Sequence, residues 1–261
     1  MGLEFKIAKT PEEKNLAYNV RYKVFCEELG YLDKTLFPDK LEKDEYDDLE
    51  TTINFIAFEN NEGIATARII KENRDMAIKK NSRYGLPIED LFEIMGYDEI
   101  KSIPAEISRS SIIQEKRKST LMLKLWREVF RYSRYNNMID LLSCVGTETD
   151  DLLDAQIIFY LAKKKGLFHR NVTAKIKTKY PLYAKTKIKI HEPLNLDEIN
   201  LLDFPIPETL QVYEKLGIQY IGEPTYYKKF WMCTLPIILP LDMLNEPFNN
   251  FIFGQKRSNK V

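Results

Sequence analysis

The chain has 261 residues, 44% of them hydrophobic and 30% charged, which is enough apolar mass for a sizeable core and too much for compositional disorder. Lys plus Arg and Asp plus Glu both number 39, so a formal net charge of zero removes any global electrostatic case for nucleic acid or an anionic membrane. Cys26, Cys144, Cys233 and two histidines are too few for a disulfide framework or a zinc-type cluster, so no metal is expected. The opening MGLEFKIAKTPEEKN lacks the apolar core of a signal peptide, and no segment reaches the ~18 uninterrupted apolar residues of a membrane span; a cytoplasmic location without a transmembrane segment is the expectation.

Thr10 before Pro11, Glu12 and Glu13 is a helix start, and Leu16, Ala17, Val20, Val24, Phe25 and Leu29 keep helical spacing up to Gly30. Residues 31–52 read as an acidic loop, with eight Asp or Glu against three Lys. INFIAFE (53–59), the turn NNEG and IATARII (64–70) predict a β-hairpin. A short helix is predicted over 87–96, a strand over 104–113, an amphipathic helix from Ser119 to Arg134 and a buried strand over 138–145. Strand, loop, helix, strand is a parallel crossover unit. Further on, 150–165 reads as a helix, 172–190 as alternating solvent-facing strands, and Pro207–Leu216 as a helix closed by Gly217. IQYIG and the 230–241 run supply the last two strands. The pattern predicts one domain over 1–261, with an insertion at 155–208 and a frayed tail at 253–261.

Several polar residues stand where apolar ones belong. Arg68 lies inside the second hairpin strand, Glu106 and Arg109 inside the next, and Arg21 one turn before Phe25. Buried charge is costly unless paired, so these residues form either a structural ion-pair network or a site. Glu106 and Arg109 point to opposite faces of a regular strand; a bulge would bring them to one face. The turn Gln114, Glu115, Lys116, Arg117, Lys118, Ser119, Thr120 runs into a helix start, where free N–H groups and three cations make either an anion site or solvated surface. From Ala155 to His191 there are ten Lys or Arg and no Asp or Glu, a face open to an acidic protein partner or simply to solvent. A nucleic-acid binder would rest on that stretch alone and lacks a recognition motif.

Taken in order, Arg21-x3-Phe25, Tyr31, Asp44-x2-Asp47 in DEYD, Arg68 in GIATAR and Glu106-x2-Arg109 in EISR resemble the signature series of the acyl-homoserine-lactone synthases. The set is also similar to the long-chain N-acyl amino acid synthases and exosortase-associated acyltransferases of the GNAT superfamily, over roughly residues 15 to 146. Position 31 is Tyr where the lactone synthases generally have Trp, and those proteins are shorter. The resemblance implies an α/β (α+β) fold with a central mixed sheet, splayed between two neighbouring parallel strands and flanked by helices on both faces. Strands 104–113 and 138–145 would be the splayed pair, with the pantetheine arm of an acyl thioester between them. It implies an acyl carrier protein or acyl-CoA as co-substrate, no tightly bound cofactor, and a small amine such as an amino acid or S-adenosylmethionine as acceptor.

N-acyl transfer needs a neutral amine, a carbonyl held within attack distance and stabilisation of the oxyanion. Glu106 is the expected base, with Arg109 and Arg68 holding it and the acidic loop in register. Asp44 and Asp47 would order the loop or bind a cationic part of the acceptor, in a site completed by Arg21, Phe25 and Tyr31. The donor would meet Ile112, Ile113, Gln114, Lys116, Arg117, Lys118, Ser119 and Cys144, with a bulge N–H near Ile112 to Gln114 polarising the carbonyl. Cys144 is either a small core residue or, in a covalent route, a nucleophile lacking a nearby histidine. The competing readings are an acetyl-CoA enzyme of the same superfamily and a non-catalytic member that binds acyl chains or a partner.

Overall fold

Local sequence starts each element, and long-range pairing decides what becomes of it. In the computed structural model, which describes residues 2–117, 119–177 and 204–254, β1 (Glu4–Ile7) leads into α1 (Pro11–Tyr22), started by a capping box: Glu13 N–H donates to Thr10 Oγ1 (3.3 Å) and Thr10 N–H to Glu13 Oε2 (3.2 Å). The apolar spacing runs on past Tyr22, but the helix widens there into a π-turn, Lys23–Glu28, before Gly30. β2 (Thr52–Glu59) and β3 (Glu62–Lys71) form the expected hairpin. Asn60 and Asn61 both have positive φ, 53° and 67°, as the tight turn between right-twisted strands requires.

After α2 (Arg74–Lys80), the stretch expected to be a helix over 87–96 is instead a 3-10 turn, Pro87–Asp90, followed by β4 (Phe92–Met95). Phe92 and Ile94 are buried while Glu93 and Met95 are not, a strand's alternation over a span too short to read without its partner, β7 (Thr173–Ile176). β5 (Ala105–Ile112), α3 (Leu121–Tyr135) and β6 (Asp140–Gly146) make the crossover unit, with α3 starting two residues later than expected. Next come α4 (Leu152–Lys164), α5 (Glu208–Leu216), β8 (Gln219–Tyr220), β9 (Thr225–Tyr227), β10 (Met232–Pro240) and α6 (Glu246–Phe253). Of the strands expected over 172–190, β7 is described and 178–190 lie outside the described residues. So do 178–203 of the expected insertion and 255–261 of the tail.

The main sheet runs β1-β2-β3-β5-β6-β10-β8, with β9 also on β10; β5 and β6 are parallel and the other pairs antiparallel. Leu125, Trp126, Val129 and Phe130 of α3 pack with Ala65, Ala67, Ile69, Ala105 and Leu141 on one face. Ala17 of α1 covers Ile56 and Phe58 on the other face, where Tyr84, Leu86, Ile88 and Phe92 cover Ile70, Leu142 and Ile238. The sheet is therefore mixed and clothed on both sides, as expected. Among the described residues no helix is long and apolar enough to cross a membrane.

Candidate active site

The sheet forks at β5 and β6. Their ladder holds at Ala105↔Leu141 and Glu106↔Leu142 and then stops, although both strands continue. At the fork Ser143 Oγ donates to the Ile107 carbonyl (2.8 Å), so a side chain takes the acceptor that a continued ladder would have used.

Glu106 sits at the apex, 3% exposed, its Oε2 accepting the Ile88 N–H at 2.6 Å from the 3-10 turn above it. Burial raises its carboxyl to about 8, against the opposing pull of that N–H and of Arg68 and Arg109. Tyr84, Leu86 and Arg83 donate backbone N–H groups to Glu89, which fixes the segment carrying Ile88.

A bulge is present, but further along β5 than a link between Glu106 and Arg109 would need. Arg68 pairs with Ser108 and Thr66 with Ser111, so Arg109 and Ser110 together oppose Ala67, and Arg109 has φ of 54°. Arg109 reaches Glu42 (Nε to Oε1, 3.2 Å) and Asp44 (Nη2 to Oδ2, 2.9 Å). Arg68 meets Asp44 Oδ1 at 2.7 Å and Asp47 Oδ2 at 2.9 Å through Nη1, and Ser108 Oγ at 3.2 Å through Nε. Arg21 meets Asp47 Oδ1 at 2.8 Å and donates to Asn54 Oδ1. Burial by itself would raise both Asp carboxyls; Arg68 and Arg109 overcome it at Asp44, and Arg21 and Arg68 at Asp47, holding both below the usual range.

Three expectations change in consequence. Arg68 and Arg109 grip the acidic loop, whereas the hydrogen bond on Glu106 comes from Ile88. Asp47 and Arg21, 1% and 0% exposed and paired with each other, have no surface to offer an acceptor. The Ile113 N–H goes to Ile64 O (3.1 Å) and the Gln114 N–H to Glu28 Oε1 (3.1 Å), so neither is free to polarise a carbonyl.

The basic turn is also engaged. Arg117 pairs with Glu28 and Lys116 with Glu59, Ser119 is exposed and caps Leu121 N–H at 3.2 Å, and Lys118 lies outside the described residues. Ile112 is buried in the core beside α3, with Ile113 packed against it. Cys144 is half-buried on β6, and burial followed by the nearby Glu106 pushes its thiol well above the ordinary range, which disfavours a thiolate.

Phe25 stands edge-on to Phe230 at 5.7 Å, and the Arg109 guanidinium lies 4.8 Å from the same ring. Tyr31 lines a pocket of about 340 Å³ with Glu148, Thr149, Phe230, Trp231 and Met232. Glu42, Ser108, Ile88, Phe230 and Lys229 escaped sequence reasoning. The aromatic frame of YYKKFW, residues 226–231, was the one available signal for the last two.

Residues 20–127 match the family model described as an acetyltransferase (GNAT) domain. That segment, less than half of the chain, is similar to a GNAT domain. Among solved structures, FeeM, an N-acyl amino acid synthase from uncultured soil microbes, is similar at 11% identity and a TM-score of 0.54, over 93% of this chain and 94% of that one. BjaI, a CoA-dependent acyl-homoserine lactone synthase with SAM and isopentyl-CoA, gives 15% and 0.50 over 95% and 90%; the AHL synthase LasI gives 14% and 0.50 over 98% and 99%. At such identities the likeness is one of fold. No curated protein matches. Glu106 and the β5 side of the fork fall inside the matched segment, whereas β6, the pocket wall at Glu148 and the Phe230 turn lie beyond it.

Proposed function

We propose that this chain is an N-acyltransferase acting in the cytoplasm as a single domain, which moves a fatty acyl group from a thioester, on acyl carrier protein or CoA, to the amine of a small acceptor. The observation that carries this reading is the fork itself: two parallel strands part immediately beyond a buried carboxyl whose affinity for a proton is raised to the range a general base needs. The amine lone pair attacks the thioester carbonyl carbon, the amine proton passes to Glu106 directly or through a water, and the C–S bond breaks to a thiolate that takes a proton back from Glu106 or from water and leaves as the thiol. Backbone N–H groups on the β5 edge facing the gap serve the oxyanion. The donor's phosphate end lies at the turn after β5, where it displaces Glu28 from Arg117 and from the Gln114 N–H.

Mass spectrometry of lipid extracts from cells overproducing the protein tests this. The expected result is a new acylated amine, lost with Glu106→Gln, whose turnover falls by about 10²–10⁴ while the fold is kept. Unchanged turnover would remove Glu106 from the chemistry. Thermal shift with acyl carrier protein, long-chain acyl-CoA and acetyl-CoA separates fatty acyl transfer from acetyl transfer.

A further inference from the structure

Lys229 lies on the 3-10 turn Lys228–Phe230 between β9 and β10. β10 is on the β6 side of the fork, yet this turn reaches back over the gap to the β5 side. There Phe230 meets Phe25 and Arg109, and Lys229 Nζ comes to 3.9 Å from Asp44 Oδ2. That separation is too long for a hydrogen bond, and Asp44 has little left to give. Its Oδ1 already accepts from Arg68 Nη1 (2.7 Å) and the Tyr46 N–H (3.1 Å), its Oδ2 from Arg68 Nη2 (3.2 Å) and Arg109 Nη2 (2.9 Å). Among the described residues Lys229 has this ion contact and no hydrogen bond.

Arg21, Arg68 and Arg109 face Glu42, Asp44 and Asp47 in close ion pairs, and Lys229 stands beside them with its one longer approach to Asp44. It is also the accessible member: its side chain is 36% exposed, against 12% or less for the others. Burial, and then Arg109, press its proton affinity below the ordinary lysine range, against the pull of Asp44 and Glu42. Next to it, at Phe230, begins the pocket that Tyr31, Glu148 and Asp150 also line, so an amine that carries an anion would meet opposite charges there. The acids expected to bind a cationic acceptor, Asp44 and Asp47, are spent on arginines.

We infer that Lys229 holds an anionic group of the acceptor, a carboxylate or a phosphate, and so selects anionic amines over neutral and polycationic ones. The inference rests on the acyl-transfer reading and names the acceptor class for that site. The test is acyl transfer from decanoyl-CoA and decanoyl-loaded acyl carrier protein, followed by thiol release and product mass, with three acceptor sets. These are the proteinogenic amino acids; O-phosphoethanolamine; and amino acid amides, ethanolamine and spermidine. An anionic set should exceed the third by about tenfold or more in kcat/KM, the better of the first two telling carboxylate from phosphate. Lys229→Met should raise KM for it about tenfold with kcat within about threefold and erase the preference, and Lys229→Arg should restore most of it.

Amides and spermidine used as well as the anionic amines, or a KM untouched by Lys229→Met, would overturn the inference. If the wild type acylates nothing, the acyl-transfer reading fails separately, and thermal shift decides for Lys229. Stabilisation by millimolar amino acids or O-phosphoethanolamine that Lys229→Met abolishes supports it; no shift, or one equal in both proteins, overturns it.

Discussion

The cluster under the acidic loop and the basic turn after β5 use the same chemistry, guanidinium or ammonium against carboxylate, in two different media. In the first, Arg21, Arg68, Glu42 and Asp47 have fully buried side chains and each arginine bridges two chain segments. In the second, Lys116 with Glu59 and Arg117 with Glu28 are partly exposed, their side chains between 17% and 37% accessible. Water screens the second set and cannot reach the first, so equal contacts have unequal consequences. The buried set fixes where the acidic loop lies; the surface set is the one that solvent and ions can reach.

The largest break in that comparison is Arg68→Met, which strands Asp44 and Asp47 in the interior. It should cost about 3–5 kcal/mol in urea denaturation, whereas Lys116→Met should change stability by no more than about 1 kcal/mol. Equal effects would mean that solvent penetrates the buried cluster. Second in size is the pH response. Asp44 and Asp47 are held below their unfolded value near 3.8, so what they contribute is present above that value and is lost as pH falls from it through their lower folded values. Glu106 has the opposite sign. With about 8 folded against 4.5 unfolded, its neutral form stabilises the fold fully below 4.5, and that contribution fades as pH rises from there and is gone above 8. Stability should therefore fall on both sides of about pH 5, and Glu106→Gln should flatten the alkaline side alone. An unaltered alkaline side in that variant would place the titration elsewhere. The triple replacement of Lys116, Arg117 and Lys118 by Ala should cost little stability, and its mark should instead be weaker donor affinity in titration calorimetry. An unchanged affinity would count against a donor anion at that turn.

The hairpin and the β5-α3-β6 unit were legible because their signals are local: paired asparagines at a turn, alternation along a strand, one amphipathic helix. The charges inside strands were legible too, since Arg68 and Glu106 break an apolar pattern. Their partners were not. Glu42 is one of many acids in its loop, and nothing nearby says that it meets Arg109, 67 residues on. The short strand β4 was lost to a helical reading because its partner β7 lies some 80 residues away. Lys229 stayed hidden because the turn that carries it crosses to the β5 side of the fork, which no spacing records.

The fork also decides how the molecule can give way. Among the described residues, the leaf β1-β2-β3-β5 and the leaf β6-β10-β8 share ladder pairing at Ala105 and Glu106 alone, with the Ile103 N–H to Asn137 carbonyl bond (2.8 Å) just ahead of it, while β6 and β10 stay zipped from Asp140 to Gly146. Such a short spine lets the leaves spread without unthreading either one. Amide exchange should be fastest along that seam, and under the proposed acyl transfer the weakest join in the sheet would also be its doorway.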